Sequence, residues 1–239
     1  MALVRRRFRA VLFDVGGTLV RVPDISAWVE QAHRLNLSFG PEELGDAYVE
    51  ILAAVDPEPP LMDRSGAVLN FWRQTLSRAA KKNVSEQVAG EFVAREGENS
   101  LPVRIYADAR GCVDELRRDG RKLGVISNSR DEARVRQVLH QAGILSYFDS
   151  VISSGTEGIE KPDPEIFVRA VERLNTTPEE AVYIGDLAEI DAKAAASAGL
   201  FGVWLNRDRS TFDERLPQLS SLLELPARIR RIEQGLRFD

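Results

Sequence analysis

A chain of 239 residues with 44% hydrophobic content can bury one good core and carry a second, smaller module. Its net charge of −5 argues against bulk nucleic-acid binding, and no apolar run nears the roughly 20 residues of a membrane span. One cysteine, Cys112, can form no internal disulfide, and the N-terminus lacks a secretory apolar stretch, so a cytoplasmic location is expected.

Residues 8–14 read as a buried strand, Val11-Leu12-Phe13 running into Asp14 and then Gly16-Gly17-Thr18. From residue 24 to about 100 only helices are predicted. Ser26-Ala27-Trp28-Val29 opens one. Pro41-Glu42-Glu43-Leu44 opens the next, with proline in the first position and acidic residues in the first turn. Asp56 to Pro60 breaks it, and periodicity resumes over Val68–Ala80 and Val84–Ala94. Trp28, Phe71 and Trp72 are expected to form the core of this helical block, and His33 and His140 to pack or face solvent.

After residue 105 strands and helices alternate. A helix near Asp108–Arg118 ends at Gly120, with Cys112, Val113 and Leu116 on its apolar side. Lys122–Ile126 is a buried strand ending in Ser127-Asn128. A helix over 131–142 ends at Gly143, and Asp149–Ile152 is a strand. Pro164–Leu174 is a helix capped by Asp163. Thr177-Pro178-Glu179-Glu180 carries a capping-box spacing. Ala181–Ile184 is a strand ending in Gly185-Asp186. A helix over 187–198 and a last strand, Phe201–Leu205, follow, and the tail reads as loop and surface helix. Such alternation predicts an α/β fold with a Rossmann-like parallel sheet and an inserted α-helical domain. Residues 1–20 and 101–239 are assigned to the core and 21–100 to the helical insertion.

A parallel sheet collects Asp14, Ser127-Asn128, Lys161 and Asp186 with Asp191 on one edge, where open α/β sheets bind ligands. In order, these resemble the four motifs of the haloacid dehalogenase superfamily. Asp14 matches the nucleophile, Ser127 the second-motif hydroxyl, Lys161 of Glu160-Lys161-Pro162-Asp163-Pro164 the third-motif lysine, and Gly185-Asp186 with Asp191 the acidic fourth motif. The helical block stands where that family carries a type-1 cap. A dinucleotide-binding domain would want a longer glycine pattern after the first strand. A receiver domain would lack the insertion.

The resemblance implies a hydrolase acting on a small phosphorylated substrate through an aspartyl-phosphate on Asp14. Asp14, the Gly16 carbonyl and Asp186 would hold Mg²⁺, with Asp191 binding it directly or through water. Ser127 and backbone N–H groups near Gly17 and Asn128 would bind the phosphoryl oxygens, and Lys161 would neutralise charge on the nucleophile and the phosphoryl group. The chain departs from the family at Gly16, where the phosphatases carry a second Asp as general acid and base. Three readings stay open. One is a phosphatase that is slow or takes its acid elsewhere, with Asp24 and Glu30 as candidates. Another is a dehalogenase or phosphonatase, though dehalogenases are metal-free and the insertion has no lysine before Lys81 and Lys82. The third is a catalytically dead phosphate- or metal-binding protein acting through a partner.

Overall fold

The computed structural model of the protein describes residues 7–21, 25–54, 65–96, 103–129, 132–209 and 213–238. Asp24, the proline-rich break at 56–60 and the expected boundary at 100–101 lie outside them. The chain divides into two compact units. Met1–Arg21, Ile105–Arg136 and Ile144–Asp239 form one, and Val22–Arg104 with Gln137–Gly143 form the other.

The chain enters the first unit through β1 (Ala10–Phe13), four apolar residues that are all buried. The second unit contains α1 (Ile25–Arg34), α2 (Pro41–Ala54), α3 (Ser65–Ala80) and α4 (Glu86–Glu96). The start of α2 is held by Glu43, whose carboxylate accepts the Gly40 N–H at 2.9 Å. Trp72 stands at the centre of this unit's core, with the Trp28 and Phe92 rings both 4.6 Å away and Phe71 at 5.4 Å. The aromatic trio therefore packs the interior, as its spacing predicts.

The chain continues with α5 (Ala107–Arg118), β2 (Lys122–Ser127), α6 (Glu132–Gln141), which is in the first unit to Arg136 and in the second from Gln137, and then, in the first unit, β3 (Ser150–Ser153), α7 (Ser154–Glu157) and α8 (Pro164–Arg173). Then come β4 (Ala181–Gly185), α9 (Ala194–Ser197), β5 (Phe201–Leu205), β6 (Gln218–Leu219) and α10 (Leu225–Glu233). All six strands are parallel, in the order β3-β2-β1-β4-β5-β6. Parallel strands covered on both faces need continuous apolar runs, and β1 and β4 are buried along their whole length. Leu12, Ile126, Ile152, Phe167, Val171 and Tyr183 share one core cluster. Cys112 is fully buried, and that burial pushes its thiol far above its ordinary range, so it is an unreactive packing residue.

Three details differ from the predicted elements. Thr177 caps no α-helix; the segment makes a single 3₁₀ turn over Pro178–Glu180, and the Glu180 carboxylate accepts the Thr176 hydroxyl at 3.1 Å instead. The helix expected over 187–198 is a π-helix at Ala188–Lys193 followed by the short α9. Phe201–Leu205 is not the last strand, because β6 pairs outside it through Trp204–Gln218 and Leu205–Leu219.

Candidate active site

Strand β1 lies between β2 and β4, so its end is the point where the strand order reverses. Asp14 leaves the sheet there, its N–H donating to Ile184 O of β4 at 2.9 Å. The registers pair Phe13 with Val125 and with Ile184. Ser127 and Asp186 therefore stand one residue beyond the level of Asp14, on its two sides.

Lys161 binds this cluster together from the loop before α8. Its Nζ donates to Asp14 Oδ1 at 2.8 Å, Asp191 Oδ1 at 2.7 Å and Tyr183 OH at 2.9 Å. An ammonium has three protons, and here each has an acceptor. Asn128 locks the same residue from β2: its Oδ1 accepts the Lys161 N–H at 2.9 Å and its Nδ2 donates to Lys161 O at 2.8 Å. Phosphate was expected at a backbone N–H near Asn128 and at Lys161; the Asn128 side chain fixes the lysine backbone, and the lysine ammonium lies on two carboxylates and a phenol.

The wide π turn brings Asp191 back over the end of β4. Its Oδ2 accepts the Leu187 N–H at 3.0 Å, and its Oδ1 also accepts from Tyr183 OH at 3.1 Å. A Cβ at residue 185 would collide with the Asp191 carboxyl group, which explains the glycine. Gly17 serves Asp186 in the same way. It has a positive φ, and a Cβ there would run into the Asp186 carboxylate. The Gly17 N–H, expected at the phosphoryl group, instead donates to Val20 O at 2.8 Å within its own turn. Among the described residues no hydrogen bond joins the Ser127 side chain to Asp14, Lys161, Asp186 or Asp191. Glu30 is exposed on α1, 3.8 Å from Arg34.

Charge in the cluster is unbalanced. Oxygens of Asp14, Asp186 and Asp191 lie within 4.8 Å of one another, and among the described residues Lys161 is the cation that bonds to them. Burial raises the Asp14 carboxyl, with Lys161 opposing and Asp191 adding to the rise. Burial, then Asp14 and Asp191, push Asp186 up to about 6. Burial disfavours charged Lys161, but Asp14 and Asp191 outweigh it and hold the ammonium protonated. Asp14 Oδ2 is buried and, among the described residues, accepts no hydrogen bond. A divalent cation with hard oxygen ligands fits this donor set, because it would relieve the repulsion among three carboxylates that one ammonium leaves unbalanced. Asp14 and Asp186 have oxygens to offer, whereas both Asp191 oxygens are already engaged.

A pH dependence follows. A carboxyl with a raised folded pKa binds its proton more tightly when folded. In metal-free protein the repulsion is therefore fully present above about pH 6 and relieved as pH falls towards the unfolded value near 4. The melting temperature in chelator should rise from pH 7 to pH 5 on account of this site. The stabilisation gained from Mg²⁺ should shrink over the same interval. Thermal melts at both pH values, with chelator and with Mg²⁺, check this.

Tyr183, Trp204 and Arg207 were not singled out from sequence. Tyr183 could have been, because a tyrosine inside a buried strand needs a partner for its hydroxyl.

A family model described as haloacid dehalogenase-like hydrolase matches residues 8–199. Glyceraldehyde 3-phosphate phosphatase of Methanopyrus kandleri is 30% identical over 84% of this chain and 85% of its own length. N-acylneuraminate-9-phosphatase of Mus musculus is 32% identical over 95% and 96%. Among solved structures, a 2-haloacid dehalogenase of Pseudomonas syringae superposes with a TM-score of 0.57 at 25% identity, covering 94% of this chain and 99% of that one. With the sheet order and the carboxylate–lysine cluster, these matches place the chain in the haloacid dehalogenase-like hydrolase family.

Proposed function

We propose that the protein is a Mg²⁺-dependent phosphatase of small phosphorylated metabolites, working through an aspartyl-phosphate on Asp14. The observation that carries this is the state of the Asp14 carboxylate. Lys161 holds Oδ1, Oδ2 is buried without a hydrogen-bond partner among the described residues, and the carboxylate stands within 4.8 Å of an Asp186 oxygen. A carboxylate fixed by one oxygen presents the other as an oriented nucleophile. Oδ2 attacks phosphorus, the bond from phosphorus to the ester oxygen breaks, and the leaving group departs with that electron pair. Water then attacks the same phosphorus and releases inorganic phosphate, restoring the Asp14 carboxylate. Bound Mg²⁺, held by Asp14, Asp186 and the Gly16 carbonyl, would offset charge between the nucleophile and the phosphoryl group. Lys161 holds nucleophile and Asp191 in register, and Ser127 supports a phosphoryl oxygen from the neighbouring strand end. Residues 21–100 act as the family's cap.

Similarity to relatives named glyceraldehyde 3-phosphate phosphatase, N-acylneuraminate-9-phosphatase and phosphoglycolate phosphatase supports this reading. A cation-binding acidic pair also argues against metal-free dehalogenase chemistry. Gly16 favours a second reading, a binding protein without turnover.

Turnover of aryl, acyl, sugar and amino-acid phosphates with and without Mg²⁺ separates the two. The phosphatase reading expects hydrolysis that stops in chelator. It also expects Asp186→Asn to weaken Mg²⁺ binding by about 100-fold or more, since even groups that only support metal ligands are worth about 10–100-fold. Retained Mg²⁺ binding with no turnover of any ester would establish the second reading.

A further inference from the structure

The end of β5 holds the backbone on both sides of the carboxylate cluster. Trp204 Nε1 donates to Asp186 O at 3.0 Å. Three residues on, the Arg207 guanidinium reaches the turn after Asp14, with Nη2 donating to Thr18 O at 2.7 Å and Nε to Gly17 O at 3.4 Å. Three N–H groups of the turn bond within it: Gly17 N–H to Val20 O, and the Leu19 and Val20 N–H groups both to Val15 O. Its outward carbonyls at residues 17 and 18 are left for Arg207.

Arg207 is itself fixed from two sides. Its other edge makes a bidentate pair with Asp108 of α5, Nη1 to Oδ2 at 2.8 Å and Nη2 to Oδ1 at 3.1 Å. Asp108 also accepts the Ser221 hydroxyl and the Leu222 N–H, each at 2.9 Å. The guanidinium carbon stands over the Tyr106 ring, 3.8 Å from its centroid, and Arg21 approaches the same ring at 4.8 Å. Tyr106 N–H donates to Leu19 O at 3.0 Å. A planar fork is required to hold a carboxylate on one edge, two carbonyls on the other and an aromatic face beneath.

We propose that Arg207 is a positioning residue for the metal site. It sets where Gly17 and Thr18 stand, Gly17 lies directly against the Asp186 carboxylate, and the gap between Asp14 and Asp186 therefore depends on it. The inference rests on the metal reading above. An arginine serving only as a structural ion pair would affect melting alone. A positioning arginine affects the affinity for Mg²⁺ in folded protein.

The test uses the full chain as wild type, Arg207→Met and Arg207→Lys. Mg²⁺ is titrated calorimetrically without substrate, melting is followed in chelator, and amide exchange is read at Gly17, Leu19 and Val20. Arg207→Met should weaken Mg²⁺ binding by about tenfold or more, as for other groups that support metal ligands, and speed exchange at those three amides. Arg207→Lys, which keeps the charge but loses the fork, should fall between, and it carries the comparison with Asp108→Asn if the methionine variant does not fold. Unchanged Mg²⁺ affinity in a folded variant overturns the inference and leaves the metal reading intact. Wild-type protein that takes up no Mg²⁺ overturns both.

Discussion

Asp14→Asn is expected to lower turnover by at least about 10⁴-fold, in line with removal of a covalent nucleophile elsewhere. The amide cannot form the acyl-phosphate, yet it is nearly the same shape. Its oxygen can still accept from Lys161, and Lys161 keeps its 2.7 Å pair with Asp191. Removing one of two anionic partners from a buried cation is ordinarily costly. Here three carboxylates face one ammonium, so losing one charge also relieves repulsion. Metal-free Asp14→Asn protein should therefore melt no lower than wild type. Melting in chelator together with turnover of an aryl phosphate checks both halves. Turnover near the wild-type rate in this variant would remove the aspartyl-phosphate mechanism.

Gly16→Asp is expected to raise turnover of alkyl phosphates by about 10²–10⁴-fold, the range that general acid–base catalysis supplies. An alkyl leaving group departs as a strongly basic alkoxide unless it is protonated, whereas aryl and acyl-phosphate leaving groups depart unaided. The native protein should accordingly prefer aryl and acyl phosphates to sugar phosphates. The backbone forbids the substitution at residue 17 and imposes no left-handed strain on it at residue 16. Gly17 has φ +83° and abuts Asp186, whereas Gly16 is not among the described glycines with positive φ. No left-handed strain therefore offsets the gain. The ratio of alkyl to aryl rates in the two proteins is the measurement. An unchanged ratio in folded variant protein would mean that protonation was not the missing function.

Much of this site was legible in the sequence because its residues follow buried strands. A parallel strand must be continuously apolar, so the polar residue that ends each run stands out: Asp14 after Phe13, Ser127 after Ile126, Asp186 after Gly185. Lys161 was legible only through its motif. What it touches was not, since the saturation of its three protons depends on the π turn that returns Asp191 and on Tyr183. Helical periodicity does not separate a π turn from an α-helix over six residues. Strand β6 escaped because two residues carry no alternation. Arg207 escaped because it sits in a loop with no motif, and its meaning comes from Asp108, 99 positions earlier in the chain. The capping spacing at Thr177 was a true local signal for a turn, overridden by the strand that begins at Ala181.

The absence of an acid at residue 16 also makes the central claim directly observable. The group that would protonate the leaving oxygen in the first step would activate water in the second, so aspartyl-phosphate should accumulate during turnover of an aryl phosphate. Protein quenched in the steady state and reduced with borohydride carries homoserine wherever a carboxylate was phosphorylated, and peptide mass spectrometry locates it. The mechanism predicts homoserine at position 14, dependent on Mg²⁺ and absent from Asp14→Asn protein. Turnover with no conversion at Asp14, or with conversion at another carboxylate, would contradict it.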